Sequence, residues 1–150
     1  MGKQSKILIV DDDENIRNTM KAILEDEGYL VDTAESGGEA VQKTQKTNYN
    51  IALLDIRLPD MEGVELLKLI KEGVPRTRKI MVTGYPSMQN AIAALNKNAD
   101  AYLIKPVDIE NLLSAVKNQL QLQESEKEFS EQKVTEFIES RVKELKVNQT

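Results

Sequence analysis

The sequence predicts an α/β domain, a doubly wound (βα)5 parallel sheet with strand order 2-1-3-4-5, followed by a C-terminal helical extension. Three observations lead there. Short apolar runs of strand character alternate with helix-period stretches five times between Lys6 and Leu120, and strict alternation puts helices on both faces of a parallel sheet. The first, third and fourth runs are apolar on both faces, as central strands are, whereas the second alternates apolar and polar residues like an edge strand. Residues 121–150 break the rhythm: they are rich in Glu, Lys and Gln and contain no Gly or Pro. The domain is assigned to residues 1–120 and the helical extension or linker to 121–150.

Each element has its own local cause. Ile7-Leu8-Ile9-Val10 is the first strand, and the helix after it carries Ile16, Met20, Ile23 and Leu24 on one face and stops at Gly28. Tyr29 to Ala34 is the edge strand. Ser36-Gly37-Gly38-Glu39 reads as a capping box opening a helix to about Lys46. Ile51-Ala52-Leu53-Leu54 is the third strand, and a third helix from about Glu62 to Lys71 turns Val64, Leu67 and Ile70 inward. Lys79-Ile80-Met81-Val82 is the fourth strand, and a fourth helix with Ile92 and Leu95 starts near Ser87. Ala101-Tyr102-Leu103-Ile104 is the fifth strand. Asp108 caps a fifth helix whose inward residues are Ile109, Leu112, Leu113, Val116 and Leu120. In the extension, Ser125-x-x-Glu128 offers a further capping box, and Val134, Phe137, Ile138, Val142 and Leu145 form an apolar stripe at helical spacing.

Composition removes whole classes of chemistry. The 150 residues include no Cys, His or Trp, and 20 basic against 25 acidic residues give a net charge of −5. Without Cys there are no disulfides or thiolate sites, and without His there is no His-ligated zinc and no His base. A negative chain is ill suited to binding nucleic acid by bulk charge, and no apolar run approaches a membrane span. Met1 to Lys6 is polar and too short for a signal peptide. The expectation is a cytoplasmic protein with neither nucleic acid nor membrane as a partner.

Ligand sites in such folds lie beyond the carboxyl ends of the strands. There the sequence puts Asp11-Asp12-Asp13 after the first strand, Asp55 after the third, Thr83-Gly84 after the fourth and Lys105-Pro106 after the fifth. Clustered carboxylates raise one another's pKa unless a cation neutralises them, and one Lys is too little for this set. A hard divalent ion such as Mg²⁺, which takes a few carboxylates plus water and phosphate oxygens, is the natural addition. Together with Lys105 and the Thr83 hydroxyl it would surround a phosphoryl group on Asp55, formed by in-line transfer to the carboxylate. Taken singly each residue has a plainer reading: an acidic run favours a helix N-terminus, and a strand-end Asp, Thr-Gly or Lys-Pro is a turn. Their joint occurrence at four strand ends is what points to chemistry.

The motifs Ile7-Leu8-Ile9-Val10-Asp11-Asp12, Leu54-Asp55-Ile56-Arg57-Leu58-Pro59-Asp60-Met61-Glu62-Gly63, Val82-Thr83-Gly84 and Tyr102-Leu103-Ile104-Lys105-Pro106 carry a family resemblance. Over roughly Lys6 to Leu120 the chain resembles the receiver domain of two-component response regulators, a chemotaxis-regulator-like domain of flavodoxin-like fold. The resemblance implies a signalling phosphoacceptor that is not a turnover enzyme but promotes its own phosphorylation and dephosphorylation. It makes Asp55 the phosphoacceptor and Mg²⁺, which Mn²⁺ can replace, the cofactor. Asp12 would be a direct metal ligand, Asp11 would act largely through water, and Asp55 and the backbone carbonyl of Arg57 would complete the protein's share of the shell. Asp13, one past the acidic pair, is left with helix-dipole duty. Thr83 would bond the phosphoryl group, and Lys105, aimed by a cis bond to Pro106, would pair with Asp55 and then with the phosphate. Thr83 and Tyr102 would form the switch, the ring turning inward as Thr83 moves. That motion reshapes the surface of the fourth helix, fifth strand and fifth helix. Arg57 and Tyr85 flank the phosphoryl position and would tune its lifetime. The implied partner is a sensor histidine kinase or phosphotransfer protein, because this chain has no His to act as donor.

Rival classes fit less well. A phosphatase of the haloacid-dehalogenase type wants a general-acid Asp two residues after its nucleophile, where this chain has Arg57. A flavodoxin-like cofactor binder needs a Gly/Ser/Thr-rich loop after the first strand, where three Asp would repel a phosphate. A degenerate receiver used only for contacts is at odds with the intact motif set. The extension, with seven acidic and five basic residues, has no basic cluster or helix-turn-helix pattern for DNA. Three readings of it stay open: a dimer-forming continuation of the fifth helix, a segment docking on a partner or on the domain, or the linker of a longer protein. A homodimer would use the fourth helix–fifth strand–fifth helix face or the C-terminal helix.

Overall fold

The computed structural model describes residues 4–70, 73–84 and 99–148. Its elements are β1 (Lys6–Val10), α1 (Glu14–Asp26), β2 (Leu30–Ala34), α2 (Gly37–Lys46), β3 (Ile51–Asp55), α3 (Gly63–Leu69), β4 (Arg78–Thr83), β5 (Ala101–Ile104) and a 40-residue C-terminal helix (Ile109–Asn148). The strands form one parallel sheet in the order β2-β1-β3-β4-β5. The order and fold class read from the alternation are those found.

Period-two alternation divides the strands between two cores. Leu8, Val10, Ala52, Leu54 and Met81 face one side and pack with Tyr49 and with Leu66 and Leu67 of α3. Ile7, Ile9, Ile51, Leu53, Ile80 and Val82 face the other and pack with Met20 and Leu24 of α1 and Leu112 and Val116 of the C-terminal helix. Every residue of β3 and β4 is buried, whereas β5, at the sheet edge, is only partly covered. Asp13 and Ser36 cap α1 and α2, and Gly28 leaves α1 at a φ of 96°, a left-handed conformation that glycine adopts without steric cost. The third helix ends at Leu69 rather than Lys71 and buries Leu66 where Val64 was expected. The helix anticipated from Ser87, with Ile92 and Leu95, lies outside the described residues.

The C-terminal helix departs most from the sequence reading. Asp108 caps its start, its Oδ1 accepting from the Asn111 N–H at 2.7 Å, but Ile109 points to solvent. Ser125 does not begin a new helix: the helix runs through it unbroken. Polar residues hold the helix against the far ends of β3 and β4. Buried Gln119 accepts from Arg78 Nε at 2.9 Å, and buried Gln123 exchanges hydrogen bonds with Asn50 and donates to the Arg76 carbonyl at 2.7 Å. Glu126 pairs with Arg76 and Arg78, and Arg76 binds Asp100 in a fork at 3.0 and 3.1 Å. Beyond that clamp, Phe129, Val134, Phe137, Ile138, Val142 and Leu145 are exposed.

Candidate functional site

The carboxyl ends of β1, β3, β4 and β5 meet at one rim. Carboxylate oxygens of Asp11, Asp12 and Asp55 lie within 4.8 Å of one another. Lys105 reaches into this cluster from the end of β5, its Nζ donating to Asp11 Oδ2 at 2.7 Å and to Asp55 Oδ2 at 3.2 Å. Asp11 is 1% exposed, and its other oxygen accepts from the Asp13 N–H at 2.9 Å. The Asp11 carbonyl accepts from Arg17 Nη1 at 2.7 Å, which ties β1's end to α1. Asp12 is exposed, so this carboxylate opens to solvent. Asp13 caps α1 through the Ile16 N–H, the helix-end duty expected of it.

The Thr83 carbonyl accepts from the Lys105 N–H at 2.7 Å, so the main chains carrying the hydroxyl and the ammonium are joined. The Lys105–Pro106 peptide bond is cis. Tyr102 sits opposite Met81 in the β4–β5 ladder and packs against the core on the α2–α3 side of the sheet. Its buried hydroxyl has no hydrogen-bond partner among the described residues. Arg57 is exposed, and its N–H points to Asp55 Oδ1 at 3.4 Å. Tyr85 lies outside the described residues.

The electrostatics follow from this packing. Burial pushes the Asp55 carboxyl above its ordinary range; Lys105 pulls it down and the charge of Asp11 pushes it up, and the net displacement is upward. Burial works against the Lys105 ammonium, but its bonds and charge contacts with Asp11 and Asp55 outweigh this and raise its pKa. Three carboxylates face one ammonium. The balance of two negative charges and an all-oxygen donor set suit a hard divalent cation.

One part of the rim was not apparent from the motifs. The loop after Asp55 closes on itself through an Arg57–Glu62 bridge, a Leu58 N–H to Met61 carbonyl bond at 3.1 Å and a Gly63 N–H to Ile56 carbonyl bond at 2.6 Å. From its tip, Asp60 accepts from the N–H groups of Gly37 and Gly38, at 2.9 and 2.8 Å. These are the first residues of α2. The only trace in the sequence is the Gly37-Gly38 pair, two glycines in a helical turn where glycine is unfavourable unless another group must come close.

Fold and rim together define a parallel α/β domain with an acidic, Lys-closed site at its strand ends. The family model of the response regulator receiver domain matches residues 7–117. Among curated relatives, the regulatory protein AtoC of Escherichia coli K12 is 35% identical over 125 residues, covering 83% of this chain and 27% of that protein. A response regulator receiver domain protein (CheY-like) from Methanospirillum hungatei superposes with a TM-score of 0.78 at 49% identity, covering 82% of this chain and 98% of that one. The beryllofluoride-activated NtrC4 receiver domain dimer matches with a TM-score of 0.74 at 36% identity, covering 82% and 99%. The chain therefore belongs to the response regulator receiver domain family of two-component systems. It spans about a quarter of the length of AtoC and of the transcriptional regulatory protein ZraR of Klebsiella oxytoca, 27% and 25%. No described helix is long and apolar enough to cross a membrane.

Proposed function

We propose that the protein takes a phosphoryl group onto Asp55 from the phosphohistidine of a sensor histidine kinase or phosphotransfer protein, in a Mg²⁺-dependent step. The observation that carries this reading is the joining of Asp55 and Asp11 by Lys105 beside the open carboxylate of Asp12. Asp12, Asp55 and the Arg57 carbonyl would hold the ion. Both oxygens of Asp11 are already engaged, by Lys105 and by the Asp13 N–H, which supports a less direct, water-mediated role for it. Bound Mg²⁺ neutralises charge on the transferring group and orients its oxygens.

The chain's own residues do the rest. Asp55 supplies a carboxylate oxygen for the new bond to phosphorus. The P–N bond of the donor breaks, and the imidazole, protonated on its other nitrogen, leaves as the neutral ring. Lys105 loses its Asp55 partner and takes a phosphoryl oxygen instead, a charge-assisted bond of the stronger kind. Thr83 donates its hydroxyl to a second oxygen. Because its carbonyl is bonded to the Lys105 N–H, both move with the same strand ends. Tyr102, on the neighbouring strand, follows Thr83, and the surface around β5 and the C-terminal helix changes with it, a two-state element biased by local charge. Arg57 and Tyr85 set the lifetime of the acyl phosphate and so the pace of self-dephosphorylation. In this reading the domain, residues 1–120, is the switch, and 121–150 carries its state outward. The exposed apolar stripe of the C-terminal helix and the β5 face are the candidate contacts of a homodimer.

Incubation with a small phosphodonor and Mg²⁺ tests the central claim. Wild type is expected to form an acid-stable, base-labile acyl phosphate, and Asp55→Asn none. Equal labelling of the two, or no labelling of wild type, refutes it. Sedimentation of the full chain against a form ending at Lys127, which keeps the Gln119–Gln123–Glu126 clamp, tests the helix as a dimer contact. Identical monomers before and after phosphorylation would remove it.

A further inference from the structure

We infer that Asp60 is a positioning residue of the cation site, acting through the first turn of α2. The inference rests on the reading of the Asp11–Asp12–Asp55 rim as a Mg²⁺ site.

The first turn of α2 has its N–H groups satisfied by two different sources. The Glu39 N–H is taken by Ser36 Oγ at 3.2 Å, a local cap. The N–H groups of Gly37 and Gly38 are taken by the two oxygens of Asp60, 23 and 22 residues away in sequence. A carboxylate at a helix start gains from the aligned N–H groups as well as from the bonds themselves. These two N–H groups, Gly38 first, hold the Asp60 carboxyl below its ordinary range, as expected for a group bonded in its charged form.

Ser36 satisfies only the Glu39 N–H, so Asp60 completes the cap, and it does so from a loop more than 20 residues away rather than locally. What Asp60 adds is a fixed distance between α2 and the loop after the phosphoacceptor. Both glycines permit it: a Cβ on Gly37 would overlap the Met61 side chain, and one on Gly38 would come within 3.3 Å of Asp60 Oδ2. At the loop's far end, a Cβ on Gly63 would overlap the Asp55 carbonyl oxygen. The loop is thus held at its base against β3 and at its tip against α2. Between these anchors lies Arg57, whose N–H points to Asp55 and whose carbonyl is the backbone ligand of the proposed site. If the tip is released, the Arg57–Glu62 bridge, the loop's own bonds and the core packing of Ile56 and Leu58 remain, but the tie to α2 that fixes the loop's tip is lost.

Groups that orient metal ligands from behind typically change metal affinity by about 10–100-fold when removed. Mg²⁺ binding to the full chain, followed by titration calorimetry, is the test. Asp60→Ala is expected to weaken binding by about tenfold. Asp60→Asn, which keeps one acceptor, should fall between Ala and wild type. Gly37→Ala is the arm that alters no charge. It raises the helix propensity of α2 but displaces the Met61 side chain at the loop's tip, and the disturbance of that anchor should weaken binding too. Ser36→Ala removes the local cap without touching the loop. It should lower thermal stability and leave Mg²⁺ affinity unchanged. Wild-type affinity in folded Asp60→Ala, or in Gly37→Ala should Asp60→Ala not fold, overturns the inference while leaving the site reading intact. Weakening by Asp60→Ala and Asp60→Asn with unchanged affinity in Gly37→Ala overturns it too, because loss of a nearby negative charge then accounts for the effect. Absence of Mg²⁺ binding by wild type overturns both.

Discussion

Replacing Lys105 by Met removes the cation that joins Asp11 and Asp55 while keeping most of the side chain's apolar bulk. In the wild type the ammonium is 2.7 Å from Asp11 and 3.2 Å from Asp55, with side-chain exposures of 17%, 1% and 10% for Lys105, Asp11 and Asp55. Removing one partner from a buried ion pair costs about 3–5 kcal/mol because the remaining charge stays buried. Here Asp12 and the mouth of the site face water, so about 2–4 kcal/mol is expected in EDTA. With a urea m-value of about 2 kcal/mol/M, that lowers the unfolding midpoint by about 1–2 M. Mg²⁺ should shrink the loss, because a divalent ion neutralises the same carboxylates. The pH dependence has a definite sign. Without Lys105 the Asp55 carboxyl, already held above its ordinary range by burial, loses the charge that pulls it down and is raised further. Its penalty is then fully present at neutral pH and is lost as pH falls below the ordinary carboxylate range. Urea unfolding of wild type and Lys105→Met, with EDTA and with Mg²⁺, measures all of this. An equal deficit in both conditions, or one that does not decline in acid, would refute the electrostatic account of the rim.

Other expectations follow from the same geometry. The Asp55 carboxyl is raised by burial, so in EDTA Asp55→Asn should be more stable than wild type at neutral pH, with the gain fading as pH falls through the ordinary carboxylate range; a gain that grows in acid would contradict the direction. Arg78→Met strips Gln119 of its donor and Glu126 of one partner, and should cost about 1–3 kcal/mol in urea unfolding and speed amide exchange over residues 119–126. Unchanged exchange there would show that the clamp does not hold the helix. Tyr102→Phe deletes a buried hydroxyl without a partner among the described residues, and should leave stability unchanged or raise it by about 1 kcal/mol; a loss of that size would show that the hydroxyl is bonded.

Much of the fold was legible because its causes are local. Apolar residues on both faces of Ile51–Leu54 mark a central strand, the alternation of Tyr29–Ala34 marks an edge, and the helix-period stretches between them give the parallel order. Legibility failed where the outcome depends on what a residue meets rather than on its own pattern. Ile109 fits the inward period of its helix yet lies in the first turn, beyond the sheet's cover. Ser125 and Glu128 have the spacing of a helix start, but the clamp carries the helix through them.

The site divides in the same way. Sequence alone determined which residues stand at the strand ends, since a strand's terminus and its next residue are adjacent in the chain: Asp11 and Asp12 after β1, Asp55 at the end of β3, Thr83 at the end of β4 and Lys105 after β5. Only the tertiary structure decided that Lys105 bonds both Asp11 and Asp55, that Asp60 caps a helix that precedes it by more than 20 residues, and that Glu126 anchors the C-terminal helix to β4. Periodicity and capping report interactions within a few residues. These contacts form only when the sheet brings distant strand ends and helix ends together, and their distances are set by packing that no single segment encodes.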